Sequence, residues 1–83
     1  GDDAAVLASH KNIANLWLGA SRLDEATNAV REYVAAAERI GAPQDRVDAL
    51  LLQGDVALAR AEPSAAALFE RARTEAIQGG LAL

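Results

Sequence analysis

Few residues in this chain are equipped for chemistry: it has no cysteine, one histidine, and 12 carboxylates set among 8 basic residues. His10 stands beside Ser9, but adjacent helical residues point apart, so the two lack the geometry of a nucleophile and its base. Its other neighbours, Val6, Ile13 and Trp17, supply no metal ligand, and a half-buried ring at a helix interface is expected. Asp45 and Asp48 can share a face at the start of a helical stretch. Such a pair serves acid–base work when one member is desolvated, and otherwise complements the positive end of the helix. Asp48 and Asp55 are separated by about 10.5 Å of helical rise, too far to share a metal without other ligands. Gly79 and Gly80 follow a helix instead of preceding one, which excludes a phosphate-binding loop. These residues predict a protein that is not an enzyme and uses no metal or cofactor. Recognition remains: Lys11 and Asn15, one turn apart on the polar side of the first helical stretch, offer a cation and an amide to a partner.

The rest of the composition agrees with a small binding domain. The chain has 83 residues, a formal charge of −4, 52% apolar types and 24% charged types. It is too apolar for a disordered chain and too charged for a membrane span. Alanine occurs 21 times, while the 8 glycines and prolines fall between the apolar segments, which favours packed helices over strands. Basic residues are spread singly, so the phosphate-contacting stripe of a nucleic-acid binder is not expected. The absence of cysteine suits a reducing cytoplasm, and no basic stretch followed by an apolar core marks a signal peptide. The opening Gly1-Asp2-Asp3 reads as an excised fragment or a tag scar.

Four amphipathic helices can be placed by periodicity. From Ala4 to Ala20, Val6, Leu7, His10, Ile13, Ala14, Trp17 and Leu18 share one broad arc, with Lys11, Asn12 and Asn15 outside it. After a short turn at Ser21-Arg22-Leu23, Asp24 and Glu25 open a second helix to Ile40, whose apolar face is Ala26, Ala29, Val30, Tyr33, Val34, Ala37 and Ile40. Gly41 suits the left-handed residue that closes it, and Pro43 suits the first turn of the third helix. That helix, to Arg60, has two apolar sectors: Val47, Leu50, Leu51, Gly54 and Leu58, then Ala49, Leu52, Val56 and Ala59. Two polar strips divide them, Asp48 with Asp55 and Arg46 with Gln53 and Arg60, so it should touch neighbours on two sides. Gly54 would let one of them approach closely. Pro63 introduces the fourth helix, Ser64 to Gln78, with a stripe of Ala65, Leu68, Phe69, Ala72 and Ala76; Arg71 and Glu75 can pair on its wet side for about 0.3 kcal/mol. Residues 79–83 are expected to be a mobile tail.

A slide of 39 residues superposes Ile13 on Leu52, Trp17 on Val56, Ala20 on Ala59, Ala26 on Ala65 and Val30 on Phe69. Paired helices repeating at such a period indicate an α-solenoid. At Leu16 to Ala26, and again at Leu52 to Ala66, the chain resembles tetratricopeptide (TPR) repeats. Leu23-Asp24-Glu25-Ala26 with Val30 and Tyr33 looks like the second helix of one repeat, and Gly54, Ala65 and Phe69 look like parts of the next. The period is longer than the usual 34, Ala14 stands for a glycine, and Gln53 stands where leucine is common. The longer period and alanine-rich helices look more like repeats of large bacterial signalling and transcription regulators. The fold class expected is therefore all-α: a single domain over residues 1–83, four antiparallel helices in two stacked TPR-like hairpins, one over 4–40 and one over 43–78.

The resemblance implies a module that binds a peptide or neighbouring repeats in a shallow groove between the first and third helices. Lys11, Asn15 and Leu18 would contribute from one, Leu51, Asp55 and Leu58 from the other. It would also put Lys11 and Asn15 where TPR adapters clamp an acidic chain end, although Asp48 and Asp55 would bring negative charge close by. Two alternatives remain open: a homodimer formed through an exposed stripe, and a small-molecule sensor with a pocket near Trp17 and Tyr33. No nucleic-acid or membrane partner is expected.

Overall fold

The computed structural model describes residues 3–81. Four α-helices follow one another: α1 (Asp3–Gly19), α2 (Leu23–Ile40), α3 (Pro43–Ala59) and α4 (Ser64–Gln78). The connections are too short for anything but antiparallel neighbours, and each helix packs on the next in sequence. A zigzag of two hairpins results, 33 × 32 × 17 Å in extent, in which α2 packs on α1 and α3, and α3 packs on α2 and α4. Residues 1, 2, 82 and 83, which include part of the opening and of the tail, lie outside the described residues.

Local rules set the helix ends. Asp24 and Glu25 occupy the first turn of α2, and Gly41 closes it at φ 78°, donating its N–H to the Ala37 carbonyl. Pro43 begins α3, where a missing N–H leaves no helical bond unmade. The turns between α1 and α2 and between α3 and α4 are copies of each other. Ser21 and Ala61 both adopt positive φ, 60° and 57°. Each donates to the carbonyl three residues back, Leu18 or Leu58, while Arg22 and Glu62 donate to Trp17 and Ala57.

These turns correct the 39-residue alignment. Through the first helix and turn of each hairpin the repeat is 40, so Leu7 matches Val47, Ala14 matches Gly54, and Leu18 matches Leu58. Only the second helices keep 39, with Ala26 on Ala65 and Ala37 on Ala76, all four buried. The missing residue lies at Pro63. Ala26 donates to Arg22 four residues back, whereas Ala65 donates to Glu62 three back, a tighter turn that uses one residue fewer. Ile13 and Leu52 are consequently not equivalent: the first is 46% exposed and the second 4%.

The core is built mainly from alanine, at nine of the sixteen buried apolar positions, so the helices approach closely with few large side chains between them. One cluster joins Leu7 and Ala14 of α1, the inner face of α2 around Tyr33, and Ala49, Leu52 and Val56 of α3. A second holds Val47, Leu50, Ala72 and Ala76 between α3 and α4. The two-sided burial of α3 is as its wheel predicts, but Leu51 and Leu58 drop out of their sector and face water.

Three other expectations change. The broad arc of α1 narrows: Leu7 and Ala14 alone are buried, His10, Trp17 and Leu18 are partly covered, and Val6 and Ile13 are exposed, because a helix with one main neighbour covers a narrow stripe. Glu75 accepts from Arg46 of α3 at 2.7 Å, an inter-helix ion pair in place of the expected pairing with Arg71. Leu81 is seated, its N–H bonded to the Ala76 carbonyl and its side chain against the α3–α4 cluster.

Candidate functional site

Lys11 and Asp48 bring α1 and α3 together on one side of the molecule, Nζ to Oδ2 at 3.9 Å. Lys11, Asn15 and Leu18 stand 40 residues before Leu51, Asp55 and Leu58, so the six occupy equivalent positions in successive hairpins; of the six, it is Lys11 that lines the cleft between α1 and α3. Lys11, Asn15 and Asp55 are exposed, and Leu18 is half-buried against the core. Leu51 and Leu58 are 36% and 64% exposed. At 100° per residue, Leu51, Asp55 and Leu58 form one strip of α3, with Asp48 beside it.

The charge on this side is unsuited to a carboxylate clamp. The Lys11 cation faces Asp48, and Asp45 lines the same cleft, of about 240 Å³, with Ala4, Leu7, Ala8 and Tyr33. With Asp55 along α3, three carboxylates accompany one ammonium, and an incoming acidic chain end would meet net repulsion. The ion pair itself is exposed and contributes well under about 1 kcal/mol to folding.

Tyr33, 2% exposed, reaches this cleft from α2. Burial first, then the Asp48 and Asp45 carboxylates, push its phenol up to about 12 from an ordinary 10. The folded state then holds the phenolic proton more tightly than the unfolded chain does. Stability contributed this way is complete below pH 10 and is lost as pH rises through about 12, by roughly 2–3 kcal/mol at most. Tyr33 is the only tyrosine, so tyrosinate absorbance reports it alone. A midpoint near 12 is expected, with the Tyr33→Phe protein lacking this component of the alkaline loss; a midpoint near 10 would remove the effect. Trp17 lies away from this cleft, with the Arg22 guanidinium 5.6 Å from its ring centroid, so the two aromatics do not share a pocket there.

The opposite side carries a feature that the sequence reading passed over. A groove runs between α2 and α4 over α3, opening into clefts of about 310 and 100 Å³ that share Val34 and Gln53. Val30, Val56, Ala57 and Leu68 line the larger one with Arg31 and Arg60; Arg46 and Arg71 line the smaller. The signal for it was the Arg46, Gln53 and Arg60 strip of α3. Arg46 is held by Glu75, and Arg60 by Asp24 at 3.0 Å and Glu62 at 3.6 Å. The Arg60 pKa is raised, chiefly by its hydrogen bond to Asp24.

Among the described residues no helix is long and apolar enough to cross a membrane, and no group of three or more His, Cys, Asp or Glu could hold a metal ion. In comparisons with known proteins, no family model, curated protein or solved structure matches this chain.

Proposed function

We propose that this chain is a TPR-like protein-interaction module of a larger regulatory protein, holding a peptide segment against the α1/α3 side. It acts by binding alone, without catalysis or cofactor, and in the cytoplasm of a bacterium. The observation that carries this reading is the exposure of Leu51 and Leu58 on one strip with Asp55, on the side where Lys11 and Asn15 also stand. Leucines grouped in this way give a partner apolar contact area, and the polar residues among them give it register. Because Asp45, Asp48 and Asp55 outnumber Lys11 there, the segment that fits is apolar with basic residues.

Peptides selected from a displayed random library on the immobilised protein test this. Selected sequences should be rich in leucine or aromatics with lysine or arginine, and a Leu51→Glu/Leu58→Glu protein should bind them about tenfold or more weakly, at unchanged helicity. Binding that ignores both substitutions would remove this face from the function. A second reading, homodimerisation, is favoured by Leu16 and Ile77, which are 66% and 65% exposed on the outer helices. Light scattering over a concentration series separates the two: a dimer dispersed by Leu16→Glu or Ile77→Glu would support this reading, and one dispersed by Leu58→Glu would assign the α1/α3 face to a second copy.

A further inference from the structure

The α2/α4 groove stands apart from the α1/α3 side in position and in charge. Its floor is apolar, from Val30, Val56, Ala57 and Leu68, and four of the chain's eight basic residues line its two clefts. Three carboxylates are also present. Glu62 and Glu75 are already engaged by Arg60 and Arg46, which leaves Glu38 as the carboxylate in the lining without an ion-pair partner among the described residues. Arg31 of α2 and Arg71 of α4 likewise have no ion-pair partner among the described residues, and they stand on opposite walls, one in each cleft.

We propose that this groove is a second interaction site, one that takes an acidic peptide segment whose apolar side chains lie on the Val30–Val56–Leu68 floor while its carboxylates meet Arg31 and Arg71. Guanidinium is the group suited to this, since its planar fork binds a carboxylate through two parallel hydrogen bonds and its long stem can lie along apolar surface. Charge decides the occupant. The α1/α3 side presents Asp45, Asp48 and Asp55 and repels acidic segments, whereas here two ion-pair-free guanidiniums, Arg31 and Arg71, stand against one ion-pair-free carboxylate, Glu38. The chain as a whole carries −4, so an acidic partner gains nothing at long range. Its recognition rests on contact pairs, which lie inside the screening length of about 8 Å at physiological salt. Opposite faces of α3, one acidic strip and one basic, thus address partners of opposite charge.

The test is fluorescence anisotropy with a labelled peptide of alternating glutamate and leucine, and the same peptide with glutamine for glutamate. The acidic peptide should bind saturably and the glutamine form about tenfold more weakly or not at all. Arg31→Gln/Arg71→Gln should weaken the acidic peptide about tenfold at unchanged helicity, both side chains being exposed. Arg39→Gln/Arg73→Gln, which removes equal charge away from the groove, should not. Equal loss in the two double variants, no saturable binding, or loss on Leu51→Glu/Leu58→Glu would each overturn the site. So would a single-stranded oligonucleotide that binds as tightly as the peptide, which would make the groove a polyanion site. The α1/α3 reading fails by a different readout, since its library-selected peptides do not depend on Arg31 or Arg71.

Discussion

Tyr33→Ala is expected to destabilise the fold by about 3–5 kcal/mol, the range for removing a buried aromatic ring. An 83-residue chain has about 4–12 kcal/mol of stability in all, so the loss removes a large share of it and, at the low end of that range, all of it. Tyr33 and Val47 are the largest fully buried side chains, and Tyr33 sits in a cluster whose other members from its own helix are Ala26, Val30, Ala36 and Ala37. The alanines among them have no rotamers with which to fill a vacated volume, so collapse would fall to the few larger neighbours, Leu7, Leu52 and Val56, and much of the cavity would persist. Urea unfolding followed by circular dichroism measures this directly. Tyr33→Phe retains the ring and should lose less than about 1.5 kcal/mol. A loss below about 1 kcal/mol for the alanine protein would mean that the α1–α2–α3 junction does not depend on this ring.

The second large effect belongs to Gly54. A Cβ at this position would stand 2.6, 2.8 and 2.9 Å from three carbons of the Phe69 ring, closer than real Cβ contacts allow. Helix propensity alone would make Gly54→Ala stabilising by about 1 kcal/mol, while forcing extra volume into a packed contact costs about 1–3 kcal/mol. We expect the contact to prevail, making Gly54→Ala destabilising and Gly54→Val more so, by about 2–4 kcal/mol. The sign should reverse once the ring is gone: in a Phe69→Leu background, Gly54→Ala should stabilise by up to about 1 kcal/mol. A double-mutant cycle by chemical denaturation gives the coupling. Stabilisation by Gly54→Ala in the original protein would show that the α3–α4 approach is looser than 2.6 Å implies.

Both effects were partly legible in the sequence. Gly54 reads as a point of close approach because it interrupts an apolar sector of a helix, and Tyr33 reads as core from its place on the α2 stripe. Their partners were not legible in the same way. That Phe69 is the ring over Gly54 depends on the register of α4 against α3, and that register depends on the tight turn at Pro63, which uses one residue fewer than the turn at Arg22. A 39-residue slide averages over the difference and misaligns the first helices by one position, enough to turn a side chain through about 100°.

The candidate site divides along the same line. Lys11, Asn15, Leu18, Leu51, Asp55 and Leu58 could be chosen from the wheels alone, since residues three and four apart share a helix face wherever the helix sits. The arginine groove could not. Arg46, Gln53 and Arg60 appear on the α3 wheel as a polar strip no different in kind from Asp48 and Asp55, and only the placing of α2 and α4 on either side of it makes that strip part of a groove.

By itself the sequence determined four helices, the ends of each to within one residue, and the antiparallel order of two hairpins. Proline, glycine, first-turn acids and apolar periodicity act within a turn or two of chain, and they need no distant partner. Tertiary structure decided which apolar residues leave water: Leu52 is buried because α3 has neighbours on two sides, while Ile13 stays exposed on α1, which packs chiefly on α2. It also decided that the acidic strip of α3 faces the α1/α3 side and the basic strip the opposite groove. A wheel can show that a helix has two apolar sides, as that of α3 does, but which positions on those sides leave water is set by how many helices surround each one, a property of the assembled layers.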